Sequence, residues 1–207
     1  MTRIADPINR IARKVPTWVV YLLYALPAPI LFYMAATGQL GPEPVQSLEH
    51  EYGEIALQLL VIGLAITPLR RFLGVNLIKF RRAIGLLAFF YVVAHLSVWV
   101  ALDMSFRWSQ MWADILKRPY ITIGMIAFLA MIPLAVTSNN RSIRALGPAW
   151  RKLHKLVYPI AALGAVHYIM VQKVWEAEPL IYLAVILGLV GLRYIPQQKA
   201  TGVTANS

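Results

Sequence analysis

Six apolar runs, each close to the length of a membrane-crossing helix, dominate this sequence. A helix needs about 20 predominantly apolar residues to cross the hydrocarbon core of a bilayer. Only 14% of the residues are charged, whereas soluble domains carry about 25%. The connections between the runs are too brief to form a soluble domain. The sequence therefore predicts an all-α membrane protein with six transmembrane helices, over residues 17–36, 52–69, 83–102, 119–137, 156–172 and 180–194.

The predicted spans divide the chain into three regions. These are an N-terminal arm over residues 1–16, a six-helix domain over residues 17–195, and a disordered polar tail over residues 196–207. Basic residues precede the first run, as in a signal peptide, but its length and the lack of a small-residue cleavage site favour a retained span. Pro27 and Pro29 should kink this helix, because each removes a backbone donor.

The longer connections differ in composition. Residues 37–51 are expected to form a Gly/Pro loop, and residues 138–155 are expected to form a basic loop. Residues 103–118 contain Trp108 and Trp112, and aromatic residues favour the membrane interface. We therefore expect this third connection to hold a short helix that lies along the interface.

Charged residues are distributed unevenly between the two sides of the predicted bundle. Sixteen of the 20 Lys and Arg residues fall on the side of the N-terminus, and eight of the nine Asp and Glu residues fall on the other side. Cytoplasmic loops carry an excess of Lys and Arg, so both termini are predicted to lie in the cytoplasm. The net charge of +11 is thus explained by topology, and nucleic acid is not an expected partner.

The residue types that carry common chemistry are few. The chain has no cysteine, which excludes disulfides, iron–sulfur clusters and thiolate metal sites. It has no Gly-rich nucleotide loop, no paired catalytic carboxylates and no nucleophile triad. Ionisable side chains within a membrane are expensive and usually functional. His95 and His167, which fall within predicted spans, are therefore the leading candidate functional residues.

Two histidines lie at matching depth on separate predicted helices. His95 follows Arg82, and His167 follows His154, by 13 residues in each case, which puts both rings roughly 20 Å from the cytoplasmic boundary. Neutral imidazole is a common haem ligand, and helix bundles hold cofactors between facing side chains. His95 and His167 are therefore predicted to bind one haem iron from its two faces. Small residues on the same helices would make room for the macrocycle: Gly85, Ala88, Ala94, Ala161, Ala162, Gly164 and Ala165.

A simpler interpretation remains open for these histidines. Each ring could be a polar packing residue that is hydrogen-bonded to a backbone carbonyl. His50 lies outside the predicted spans, near Glu49, Glu51 and Glu54. We expect it to be an exposed loop residue, although contact with a quinone head group or a partner protein is an alternative.

A second cofactor position is suggested nearer the cytoplasmic boundary. Arg81 precedes His95 by 14 residues and lies on nearly the same helical face, with an offset of about 40°. Arg81 and His154 could therefore flank a second haem, with Arg81 facing a propionate or replacing a ligand. Two observations weigh against this. Interfacial basic residues normally meet lipid phosphates, and a straight helix would turn His154 and His167 roughly 140° apart.

A bent helix would remove the second difficulty. Pro159 and Gly164 lie between the two histidines and could bend or unwind the helix enough to bring both rings to one side.

Several longer stretches resemble a known family in order and spacing. They are ITPLRR, RRAIGLLAFFYVVAHLS, RPYITIG, LAVTSNN, LGPAWRKLHKLVYPIAALGAVHY and PLIYLAVILGLVGLRY. These stretches, from about residue 40 to residue 194, resemble the MsrQ family of the ferric-reductase-like transmembrane superfamily. Its members are the haem-containing membrane subunits of the bacterial MsrPQ methionine sulfoxide reductase system.

The resemblance implies a function and a set of cofactors. The positions of His95 and His167 match the axial ligands of a b-type haem, and His154 matches a histidine implicated in a second haem. Many ferric-reductase-like relatives carry two histidines on each ligand helix, whereas Arg81 stands here where the fourth would fall. The resemblance implies a bacterial inner-membrane subunit that receives electrons from the quinone pool or a cytoplasmic flavin reductase. It also implies bound FMN, and electron delivery to MsrP, a periplasmic molybdopterin enzyme that reduces methionine sulfoxide in oxidised proteins.

Two rival functions remain open at this point. One is a self-contained ferric or cupric reductase that passes electrons to a metal ion. The other is a six-helix transporter or channel in which the histidines relay protons. Haem binding would be expected of the electron-transfer subunit and of the metal reductase, and it separates both from the transporter or channel.

Overall fold

The computed structural model describes residues 2–172, 174 and 176–195, with side chains from residue 5 onward. Every regular element among these residues is helical. The α-helices are α1 (Thr2–Lys14), α2 (Thr17–Ala25), α3 (Pro27–Ala36), α4 (Pro44–Leu73), α5 (Arg81–Val98), α6 (Trp108–Lys117), α7 (Pro119–Val136), α8 (Asn140–Leu146), α9 (Pro148–Leu153), α10 (Val157–Val171) and α11 (Ala177–Gly191). The disordered tail predicted for residues 196–207 lies outside the described residues.

Five helical stretches are long and apolar enough to cross a membrane. They are Thr17–Ala36, Pro44–Leu73, Ile78–Asp103, Pro119–Val136 and Pro148–Val171. A sixth apolar helix, α11, has 15 residues, which corresponds to about 22 Å of helix against a hydrocarbon core of about 30 Å. The all-α membrane fold predicted from the sequence is thus confirmed, with the sixth span shorter than the other five.

The first span is interrupted where the two prolines predict a kink. Helix α2 ends at Ala25, and α3 begins at Pro27 after the single residue Leu26. Two tyrosines from other helices bind the backbone on either side of this interruption. The hydroxyl of Tyr91 on α5 donates to the carbonyl of Tyr24 (2.7 Å), and that of Tyr52 on α4 donates to the carbonyl of Ala28 (2.6 Å). The first span is therefore attached to the bundle at its kink.

Helix α4 begins earlier than the sequence predicted. The loop expected over residues 37–51 is wrong from Pro44 onward, because Pro44 opens a helix of 30 residues. Proline suits the first position of a helix, since its φ is already helical and the missing N–H has no partner there. Leu48 is fully buried, which ties these first turns to the core. His50 therefore lies on a helix instead of in a loop.

The basic connection before the fifth span is also more ordered than predicted. Residues 138–155 contain α8 and α9, and the side chain of Asn139 caps α8 by accepting from the backbone N–H of Ser142 (2.8 Å). A 3₁₀ turn, His154–Leu156, separates α9 from α10. Pro159 has no N–H for the carbonyl of Lys155, which accounts for an interruption at this point. This turn breaks the straight helix on which the 140° offset between His154 and His167 was based.

The core lies where α4 packs against α5 and α10. Its largest fully buried side chains come from four helices: Leu48, Leu59, Leu64, Ile66, Tyr91, Ile160 and Ile186. At its far end α5 passes into a π-helical segment, Trp99–Asp103, and such segments are frequent near functional sites. Helix α6, where a short interfacial helix was predicted, packs Met111 against Trp99 and leaves Trp108 and Trp112 exposed.

Candidate functional site

A cavity of about 450 Å³ opens between α4, α5, α7 and α10. The side chains of His95, on α5, and His167, on α10, both line it. Apolar residues from all four helices form much of its wall, among them Leu57, Leu96, Phe128 and Ile160. The two histidines that the sequence paired by depth therefore meet in one cavity.

The rings of His95 and His167 are held in the same way. Nδ1 of His95 donates to the backbone carbonyl of Glu49 on α4 (2.8 Å), and Nδ1 of His167 donates to the carbonyl of Tyr120 on α7 (2.7 Å). A carbonyl oxygen only accepts, so Nδ1 carries the proton in both rings. The Nε2 atom of each ring then keeps its lone pair, which is the form of imidazole that binds a metal.

A glycine stands behind each of these rings. Gly53 follows Glu49 by four residues on α4, and Gly124 follows Tyr120 by four on α7. A Cβ at Gly53 would lie 3.1 Å from Nδ1 of His95, and one at Gly124 would lie 2.9 Å from Nδ1 of His167. These glycines therefore let each imidazole reach a carbonyl that already belongs to a helix.

The spacing of the two rings suits a metal between them. Their centres are 6.1 Å apart and their planes are at 89°. Two metal–imidazole bonds of about 2.0–2.1 Å, extended by about 1.1 Å from nitrogen to ring centre on each side, require roughly 6.3 Å. No group of three or more His, Cys, Asp or Glu side chains that could hold a bare metal ion occurs among the described residues. The pair therefore fits a metal that brings its other ligands with it, as haem iron does.

Of the small residues predicted to make room for the macrocycle, only one lines the cavity. Gly164 lines the cavity, but Ala88, Ala161 and Ala165 are fully buried in helix packing. Their small size lets the helices approach one another, and the room in the cavity comes largely from other residues. Gly53 and Gly124, which lie on the facing helices, were missed because a single helical glycine carries no distinctive sequence signal.

His50 also lines this cavity, which corrects the expectation of an exposed loop residue. It is half-buried on α4, and its Nε2 is hydrogen-bonded to the hydroxyl of Tyr168 (3.2 Å). The two rings also meet edge to face, with centres 5.2 Å apart. The early start of α4 brings His50 into the bundle. The sequence suggested an exposed His50 and did not single out Tyr168.

Polar side chains continue from Tyr168 towards the start of α11. The hydroxyl of Tyr182 donates to Oε1 of Glu54 (3.2 Å), and the amide of Gln58 donates to the same oxygen (2.7 Å).

Arg118 lies at another part of the cavity wall, where its guanidinium donates to the hydroxyl of Tyr120 (3.0 Å). That hydrogen bond raises the pKa of Arg118, so this side chain keeps its positive charge.

His154 does not line this cavity. Its ring stacks on Trp150, with centres 3.9 Å apart, and its Nε2 is hydrogen-bonded to Oγ1 of Thr137 (3.0 Å). Oγ1 of Thr137 also lies within hydrogen-bonding distance of the carbonyl of Pro133 (2.6 Å). Nε2 of His154 is thus engaged by a hydroxyl, whereas Nε2 of His167 faces the cavity between the two ligand helices.

Arg81 lies at the first residue of α5, and its side chain is exposed. It makes no side-chain hydrogen bond or ion pair with the residues that the structure describes. The cavity that contains His95 does not include Arg81. The structure therefore brings together His95 and His167, and leaves Arg81 and His154 outside their site.

Comparison with known proteins agrees with the helical membrane bundle. Residues 52–165 match the family model of the ferric reductase like transmembrane component. The protein-methionine-sulfoxide reductase heme-binding subunits MsrQ of Brucella ovis, Brucella canis and Brucella suis are each 48% identical to the chain over 175 residues. Each alignment covers 83% of this chain and 80% of the relative. No solved structure matches the chain. By the extent of these matches, the chain belongs to the MsrQ family of ferric-reductase-like transmembrane proteins.

Proposed function

We propose that this protein is the transmembrane haem b subunit of a methionine sulfoxide reductase system. In this proposal it passes electrons from the quinone pool or a cytoplasmic flavin reductase to a periplasmic molybdopterin enzyme of the MsrP type. The observation that carries the proposal is the His95–His167 pair, whose ring centres are 6.1 Å apart in a largely apolar cavity. The MsrQ relatives are named as heme-binding subunits, which supports the same cofactor here.

His95 and His167 are the proposed axial ligands. Bound haem supplies one-electron exchange at its iron, which none of the side chains at this site provides. The carbonyls of Glu49 and Tyr120 hold the ligand rings in one tautomer and orientation. Such outer contacts raise the basicity of a ligating imidazole. The apolar wall excludes water and so contributes to the redox potential of the site.

The chain's orientation is proposed from charge. Both termini are assigned to the cytoplasm of a bacterium, with the chain in its inner membrane, because Lys and Arg accumulate on the side of the N-terminus. On this assignment residues 1–16 form a cytoplasmic arm, residues 17–195 the membrane domain, and residues 196–207 a cytoplasmic tail. His95 and His167 would then lie in the periplasmic half of the bundle, near an acceptor on that side.

The remaining cofactors and partners rest on family resemblance. These are the electron donor, bound FMN, and MsrP as the acceptor that repairs oxidised periplasmic proteins. The proposal includes a second haem, which His154 and Arg81 would flank. The chain itself would be an electron-transfer subunit without a substrate site of its own.

The test of haem ligation is spectroscopic. We expect the purified protein to have the reduced absorption spectrum of a b-type haem, and His95→Ala and His167→Ala each to lose it. His50→Ala is the matched control, since His50 lines the same cavity but has no proposed ligand role, and it should keep the spectrum. A colourless, folded protein from haem-replete cells would contradict the proposal.

The acceptor is tested by reoxidation. Reduced protein should be reoxidised faster by a periplasmic MsrP-type enzyme than by a ferric chelate at the same concentration. Faster reoxidation by the chelate would favour the rival metal reductase. Measured proton flux in haem-free protein would favour the rival transporter.

A further inference from the structure

A second cavity, of about 510 Å³, lies where the C-terminal ends of α4 and α11 meet the start of α10. Three cationic side chains line it: Arg71, Lys155 and Arg193. The other lining residues include Thr67 and Tyr158, and no carboxylate is among them. This Arg71–Arg193 pocket is separate from the His95–His167 cavity.

Both arginines are fixed in place by neutral oxygens. Arg71 donates from Nη1 to the carbonyls of Leu192 and Arg193, both at 3.3 Å, and from Nη2 to the carbonyl of Ile195. These carbonyls follow the end of α11, where helical partners are missing. The arginine is thereby held in one orientation, but its charge is not neutralised.

Arg193 is held in a similar way. It donates to the hydroxyl of Tyr158 (2.8 Å) and to the carbonyl of Leu64 (2.9 Å). Pro68 follows Leu64 by four residues and has no N–H to offer that carbonyl, so Arg193 replaces the missing donor. Its guanidinium also lies over the ring of Tyr158, 4.8 Å from the ring centre.

The positive charge of the pocket has no counter-charge within the described part of the chain. The ion pair found among the described residues joins Arg118 to Asp114. These two residues lie at the opposite ends of the spans, far from this pocket. The Nε atoms of Arg71 and Arg193 are buried and have no hydrogen-bond partner among the described residues. Both arginines are half-buried, and a partly desolvated cation without a counter-charge is costly. Guanidinium groups bind phosphate particularly well.

We propose that the Arg71–Arg193 pocket binds a phosphate group, carried by the headgroup of an anionic phospholipid or by a soluble phosphate ester. Basic pockets between membrane helices are suited to anionic headgroups. The pocket lies at the helix ends that bear the Lys- and Arg-rich connections, where such headgroups are within reach. The two fixed guanidinium groups would supply orientation, and the exposed Lys155 would supply additional charge.

The test uses the full chain and two variants of equal charge change. Lys155→Glu reverses a charge that lines the pocket, without removing the arginine contacts that hold the helix ends. Lys152→Glu is the matched control, because Lys152 is exposed on α9 and does not line the pocket. Far-ultraviolet circular dichroism of both variants verifies that the helices are retained.

Two measurements distinguish the two sources of phosphate. In the first, native mass spectrometry counts the molecules of phosphatidylglycerol that stay bound when the protein is released from detergent. Diacylglycerol, which lacks the phosphate, is the control lipid. In the second, delipidated protein in neutral detergent is titrated with inorganic phosphate, against chloride at equal ionic strength, and its thermal unfolding is followed. Retained phosphatidylglycerol assigns a lipid headgroup, and stabilisation by phosphate without retained lipid assigns a soluble ester.

The proposal requires a difference between the two variants. We expect Lys155→Glu to weaken binding of the effective probe at least tenfold, and Lys152→Glu to change it less than twofold. Equal losses in both variants would indicate diffuse surface charge and overturn the proposal. It would also be overturned if wild-type protein responded to neither probe.

Discussion

The imidazoles of His95 and His167 have their centres 6.1 Å apart, and each donates from Nδ1 to a helical carbonyl four residues before a glycine. The two arrangements use different helices, Glu49 with Gly53 on α4 and Tyr120 with Gly124 on α7. Each leaves Nε2 as the free nitrogen. The tautomer and orientation of both rings are therefore set by backbone carbonyls, and the glycines give the rings access to them.

The glycines behind the rings should be sensitive to a single methyl group. Gly124→Ala would place its Cβ 2.9 Å from Nδ1 of His167, and the ring must move away from its carbonyl. Since outer contacts of this kind are worth about 10–100-fold in metal affinity, we expect the affinity for haem to fall by a factor in that range. Gly53→Ala, with 3.1 Å to His95, should have the same effect more weakly.

Haem per protein, measured from the reduced spectrum, tests this order. Gly85→Ala is the control, because it is also a helical glycine and a Cβ there meets nothing within 4 Å. It should keep its haem. Full haem retention in Gly124→Ala would show that the close approach to His167 has no role in binding.

The tyrosine contacts at the kink of the first span should contribute to stability. Tyr91→Phe and Tyr52→Phe each remove one hydrogen bond to the backbone beside Leu26. We expect each to lower the free energy of unfolding by about 0.5–1.5 kcal/mol, seen as a lower thermal midpoint in detergent. Tyr33→Phe should be neutral, since Tyr33 is 64% exposed. A neutral Tyr91→Phe would mean that α2 and α3 are held by apolar packing alone.

His154 should be dispensable for the haem between His95 and His167. Its ring contacts Trp150 and Thr137 and lies outside their cavity. We therefore expect His154→Ala to keep that haem, and the haem-to-protein ratio of wild type and variant to reveal whether a second haem depends on His154. Complete loss of haem in the folded variant would contradict the assignment of His95 and His167 as the ligand pair.

The absence of cysteine allows a direct test of orientation. Single cysteines at Ser109, on α6, and Ala145, on α8, occupy exposed positions on opposite sides of the predicted topology. A membrane-impermeant maleimide added to spheroplasts should label Ser109→Cys and spare Ala145→Cys. Labelling in lysed cells, where both should react, is the control. The reverse pattern would place both termini in the periplasm.

Features that depend on local pattern were readable from the sequence. The apolar runs predicted the helices, since a segment in lipid must satisfy its own backbone hydrogen bonds. Prolines at 27 and 29 predicted the interruption at Leu26, because a missing N–H acts within one turn. The depth of His95 and His167 followed from a fixed rise per residue. The limits of local pattern appear at Pro44, where a stretch of loop-like composition begins a helix.

The sequence by itself determined that the chain forms apolar helices and that two of them carry histidines at equal depth. The tertiary structure alone decided which atoms of those histidines are free. The carbonyls of Glu49 and Tyr120, and the missing side chains of Gly53 and Gly124, act across helices that are remote in sequence. It also turned His50 inward and His154 towards Thr137. The rotation of one helix relative to another depends on the packing between them, and it cannot be predicted from the periodicity of a single helix.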